Sequence, residues 1–144
     1  MERVSEIKTV LVAPTTTLNS GGTANISGVD STIDTLGYDF LQVVVLTGTI
    51  ASGGEVSVFK LQSSDTDGSY VDYTGATVGA DAAGDTDDDG RLVINVDLRG
   101  KERYWQAVVS CDEAANTPVT VIANLGKADT SPAADSDLIA VAYA

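Results

Sequence analysis

The sequence predicts an all-β fold: a β-sandwich of jelly-roll-like type, with about seven to nine short antiparallel strands and extended ends. Three observations carry this. Short apolar runs recur at regular spacing between glycine- and aspartate-rich turns. Val, Thr, Gly and Asp are abundant while helix formers are sparse. No stretch shows a sustained helical period.

The elements follow in order. Ile7 to Pro14 is rich in β-branched residues and reads as a first strand stopped by the proline. A short strand candidate at Thr23 to Ser27 follows, then a loop from Asp30 to Gly37 from which Ile33 and Leu36 tuck inward. Phe40 to Leu46 is the strongest strand, and its nearly continuous apolar run implies burial on both faces or a central position. In Glu55 to Gln62, Phe59 and Leu61 share one face. Asp67-Gly68 is a hairpin signal leading into Tyr70 to Tyr73. Gly75 to Gly90 is small and acidic and reads as a loop. Strand character returns at Arg91 to Leu98 and at Tyr104 to Cys111, joined by a turn at Arg99-Gly100-Lys101-Glu102. Trp105 alternates with polar neighbours and is assigned to the core, and Cys111 to a buried thiol. Val119 to Leu125 reads as the last core strand. Residues 1–126 therefore form the sandwich with its N-terminal strand or arm, and 127–144 a polar linker ending in an apolar arm.

Composition narrows the function. With 144 residues, 43% of them hydrophobic, one domain with a real core is expected. The net charge of −13 repels phosphate backbones and anionic lipid, so neither nucleic acid nor a membrane surface is expected as a partner. The first residues lack a secretion-signal pattern and no apolar run approaches a bilayer span, so synthesis in a cytoplasm is expected. Histidine is absent, which removes the commonest general base and a common metal ligand. No lysine-bearing phosphate loop is present, and the acids sit in glycine-rich turns. No enzyme and no cofactor are expected.

One metal pattern stands out. Asp85-Thr86-Asp87-Asp88-Asp89-Gly90 resembles the first half of a calcium loop, with Asp85, Asp87 and Asp89 as ligand candidates. The twelfth position is Val96, where a bidentate glutamate belongs, so weak calcium binding is the most this loop suggests. The plainer reading is a solvated acidic turn.

Several segments together resemble a known group. Val58-Phe59-Lys60-Leu61-Gln62-Ser63-Ser64-Asp65 leads to an acidic turn and Tyr70-Val71-Asp72. After a gap comes Val96-Asp97-Leu98-Arg99-Gly100-Lys101-Glu102-Arg103-Tyr104. This order, spanning Tyr38 to Leu125, resembles the capsid decoration or cement proteins of tailed bacteriophages. The resemblance implies a β-sandwich on the outer face of an icosahedral shell, bound to the major capsid protein and to copies of itself. A trimer is favoured over a dimer, and the role is to hold capsomer junctions against the pressure of packaged DNA. A head fibre, tail component or carbohydrate-binding module is the alternative.

Within that reading three features are candidates for contact. Apolar chain ends, with Val10 and Val12 at one and Leu138, Ile139, Val141 and Tyr143 at the other, suit strand addition to a neighbour, and the N-terminal one equally suits completing the domain's own sheet. Arg99, Lys101 and Arg103 gather three of the eight bases into five residues, either a local positive patch for docking or, with Glu102 among them, an ordinary hairpin tip of mixed charge. Tyr70, Tyr73, Tyr104 and Trp105 suit either an interface or a core.

Overall fold

The computed structural model describes residues 7–18, 32–78, 83–84, 88–111 and 116–127, together with the backbone of 138–143. Eleven strand segments lie among them. They are β1 (Lys8–Leu18), β2 (Ile33–Asp34), β3 (Phe40–Thr47), β4 (Glu55–Val56), β5 (Val58–Ser64) and β6 (Val71–Val78). The others are β7 (Ala83–Gly84), β8 (Arg91–Asp97), β9 (Tyr104–Ser110), β10 (Thr117–Gly126) and β11 (Leu138–Tyr143). A five-stranded sheet runs β1-β10-β3-β8-β11 and a four-stranded sheet β2-β9-β5-β6, while β4 and β7 pair by themselves. The result is a β-sandwich.

Alternation decides what each strand buries. Leu41, Val43 and Val45 of β3 point inward beside Leu92, Ile94 and Val96 of β8, and all six are fully buried. Val121, Ala123 and Leu125 of β10 extend that layer. Opposite them lie Phe59 and Leu61 of β5 and Trp105, Ala107 and Val109 of β9. Each large aliphatic or aromatic side chain sealed here contributes about 1.5–3 kcal/mol. Trp105 is the largest, with Nε1–H donating to the Glu102 carbonyl at 2.8 Å and its ring 4.9 Å from that of Tyr73. The Trp105 and Cys111 assignments agree with the sequence reading, since both are buried. Ile33 is buried as well, but Leu36 is two-thirds exposed and does not tuck inward.

Several boundaries differ from expectation. Pro14 does not stop the first strand. It lies where the β1–β10 register shifts, between Ala13↔Val121 and Thr16↔Val119, and the strand resumes to Leu18. An edge strand tolerates proline there because one side of its backbone has no ladder to serve. The expected loop after Gly75 also starts later, because β6 continues to Val78. Gly75 (φ +92°) sits in the irregularity between the Lys60↔Thr77 and Gln62↔Asp72 pairs, so it accommodates a bulge. The Asp67-Gly68 tip does close the β5–β6 hairpin, with Gly68 at φ +97°.

Two differences concern connectivity. The turn at Arg99-Gly100 joins β8 to β9, which lie in different sheets, so it is a corner between layers. Gly100 takes φ +74°, and Leu98 N–H is anchored on the Asp39 carbonyl at 2.9 Å. β10 is also not the last strand of the sandwich: Leu138–Tyr143 joins the edge of the five-stranded sheet, parallel to β8. The expected strand at Thr23 to Ser27 lies outside the described residues.

Candidate interaction face

The two outward faces of the sandwich carry different chemistry. On the four-stranded sheet, Gln106 donates to Gln62 at 2.6 Å, and Gln62 and Lys60 both donate to Asp72 at 2.7 Å. This face is charged, hydrogen-bonded and suited to water. Lys60 and Gln62 together hold the Asp72 carboxyl below its ordinary range.

The outward positions of the five-stranded sheet form rows across the strands. One row is neutral and polar: Thr9 donates to Asn124 at 3.0 Å, Asn124 to Gln42 at 3.3 Å, and Gln42 to Asn95 at 3.1 Å. The next row is apolar throughout. Leu11 pairs with Ile122, Ile122 with Val44, and Val44 with Val93. Val93 is in turn the register partner of Val141. Along the outward positions of β10, β3 and β8 the charges are Arg91 and Asp97, at the two ends of β8. On a chain of net charge −13, such a neutral strip is a departure from the rest.

Its exposed part lies toward β1. Val44 and Val93 are 7% and 6% exposed, whereas Leu11 is 59% exposed and Ile7, just before β1, 66%. Leu46 adds a third exposed side chain on this sheet. Ile7, Phe40, Gln42, Asn124, Leu125 and Lys127 line a half-open depression of about 420 Å³ at the end of the polar row, mostly apolar in lining. β1 also ends the sheet order, so its outer edge meets no further strand among the described residues. Exposed aliphatic side chains, an apolar depression and an edge with no partner among the described residues thus meet on one side of the molecule.

The residues singled out from the sequence are distributed otherwise. Val10 packs against the core and Val12 is buried, so both complete the protein's own sheet through β1. Leu138, Ile139, Val141 and Tyr143 belong to β11, also in the protein's own sheet.

The basic turn is held internally. Arg99 donates to both Asp97 carboxylate oxygens, through Nε at 2.8 Å and through Nη2. Arg103 grips Asp34 through two bonds of 2.8 and 2.7 Å and lies 4.8 Å from the Tyr104 ring centre. Lys101 Nζ reaches the Tyr73 hydroxyl and lies 4.6 Å from that ring's centre. The guanidinium of Arg103 brings the Asp34 carboxyl down to about 2, and Arg99 lowers that of Asp97. Two of the three bases are therefore neutralised by carboxylates, and the positive field expected of this turn is largely cancelled.

The acidic loop is seen in part. Asp85 and Asp87 lie outside the described residues. Asp88 Oδ1 accepts the Ile50 N–H at 2.7 Å, and Gly90 exchanges hydrogen bonds with Thr47. Asp89 adopts φ +56°, a left-handed conformation that aspartate tolerates. These contacts fasten the turn to the end of β3. Among the described residues no three acidic, cysteine or histidine side chains gather as metal ligands, and no buried side-chain polar atom lacks a partner.

Sequence reasoning named Val10 and Val12 but passed over their neighbour Leu11. The signal for the face was the run Val43-Val44-Val45, whose middle residue must point away from the core. No protein-family model, no curated protein and no solved structure matches this chain.

Proposed function

We propose that this protein is a structural virion component, a decoration or cement protein of a tailed bacteriophage. It seats on the outer surface of the icosahedral shell and stabilises the junctions between capsomers. The observation that carries the reading is the β1 side of the five-stranded sheet, where exposed Ile7 and Leu11 lie beside a mostly apolar depression and the charges are the lysines Lys8 and Lys127. Burying such a surface against the major capsid protein releases water from its exposed aliphatic side chains, while the acidic remainder stays in solvent and keeps separate particles apart. The order of segments from Tyr38 to Leu125, which resembles that family, supports the same reading.

The protein acts by occupying and bridging, with no reaction to perform. Trp105 and Tyr73 are engaged in the core, which argues against their serving as a platform for sugar rings. The charge of −13 argues against nucleic acid and anionic membrane as the surface bound. The test is cosedimentation of the purified protein with phage capsids that lack it. Saturable binding at a fixed number of copies per shell is expected; absence of binding to every capsid form would overturn the proposal.

A further inference from the structure

The edge of β8 is a slot that needs a strand. Leu92, Ile94 and Val96 beneath it are fully buried, and backbone groups left unpaired beside such a core are costly. β11 fills this slot in register, from Leu138↔Arg91 to Tyr143↔Asn95. Among the described strand pairs it is the sole parallel one. A parallel neighbour cannot be reached through a tight turn. The chain leaves β10 at Gly126, level with Phe40, and re-enters at Leu138, level with Arg91 and therefore with Leu46.

That offset is six residues along the strands, roughly 20 Å, and three strand spacings across them, roughly 14 Å. The direct distance is therefore about 25 Å, with β3 and β8 in between. Residues 127–137 reach at most roughly 40 Å when extended, and their Ala, Asp, Ser and Pro composition is that of a linker. This length exceeds the distance to the slot of its own chain, and the excess brings within reach the same slot on a copy whose β8 edge lies no more than roughly 40 Å away.

We propose that Leu138–Tyr143 is exchanged between copies, so that the β8 edge of one molecule is completed by the last strand of its neighbour. The strand makes the same contacts in either arrangement, so local concentration and linker path decide between them. Molecules crowded side by side on a shell favour exchange, which ties neighbours together at no cost in new surface. The inference concerns contacts between copies and stands whether or not the partner surface is a capsid.

Cysteines at the register partners Val93 and Val141 report the arrangement, with Cys111→Ala in every chain so that the native thiol does not compete. Val93→Cys and Val141→Cys chains are mixed, refolded together at high concentration and oxidised. Exchange predicts a covalent pair containing one chain of each kind, filling roughly half of the Val93→Cys slots by random mixing. A chain carrying both substitutions must also form the bond. The proposal is overturned if the doubly substituted chain closes only on itself while the mixed chains stay unlinked. It is also overturned if the doubly substituted chain forms no bond at all, because the register then is wrong.

Discussion

Replacing Leu11 by serine separates docking from folding. The side chain is 59% exposed, so folding has claimed about two-fifths of its surface and leaves three-fifths for a partner. Full burial of a leucine is worth about 2.5 kcal/mol, which divides into roughly 1 kcal/mol of fold stability and 1.5 kcal/mol of docking. The latter is about a tenfold loss of affinity per molecule. The assay is a capsid cosedimentation titration run beside a thermal melt. Val71→Ser is the matched control, since Val71 is 63% exposed but lies on β6, in the other sheet. Leu11→Ser is predicted to bind about tenfold more weakly with only a small loss of stability, while Val71→Ser binds as the parent does. Equal affinity for the Leu11 variant, or an equal loss for the Val71 variant, would refute the assignment of the docking face.

Three further outcomes follow from the packing and the charges. Trp105→Ala empties the largest buried side chain and leaves the Glu102 carbonyl without its indole donor, so denaturant unfolding should show a loss of about 3–5 kcal/mol. Gly54→Ala places a methyl 2.9 Å from the Ala51 carbonyl, Ile50 Cγ2 and Thr117 Oγ1, and the same measurement should record about 1–3 kcal/mol of destabilisation. The Asp34 carboxyl titrates at about 2 in the folded protein, below its unfolded value. Its pairing with Arg103 therefore stabilises fully above the unfolded pKa and is lost as pH falls through the folded one. Both side chains are more than 40% exposed, so the contribution is at most about 1 kcal/mol. Melting temperatures of Asp34→Asn and the parent should draw together as pH falls from 5 through 2; a gap undiminished at pH 2 would contradict the pairing.

The sandwich was legible because alternation is a local property. Phe59, Leu61, Trp105 and Val109 each declare an inward face by their neighbours, and the structure buries all four. Pro14 misled for a physical reason: whether a missing N–H ends a strand depends on whether that side of the backbone has a partner, and sheet order is not local. The same holds for Arg99 to Arg103. Its composition reads as a basic hairpin tip, yet Asp34, which neutralises Arg103, is 69 positions away. Alternation from Val10 does put Leu11 outward, since the register breaks only after it, between Leu11 and Ala13; what the sequence does not carry is that β1 ends the sheet and leaves Leu11 uncovered. β11 could be seen as an apolar strand, but its parallel place beside β8 is a matter of topology.

The most direct measurement is an electron cryomicroscopy reconstruction of capsids saturated with the protein. The five-stranded sheet should face the shell, with Ile7 and Leu11 at the contact and the Gln106–Gln62–Asp72 face turned to solvent. Density showing the four-stranded sheet against the shell, or shells with no added density, would contradict it.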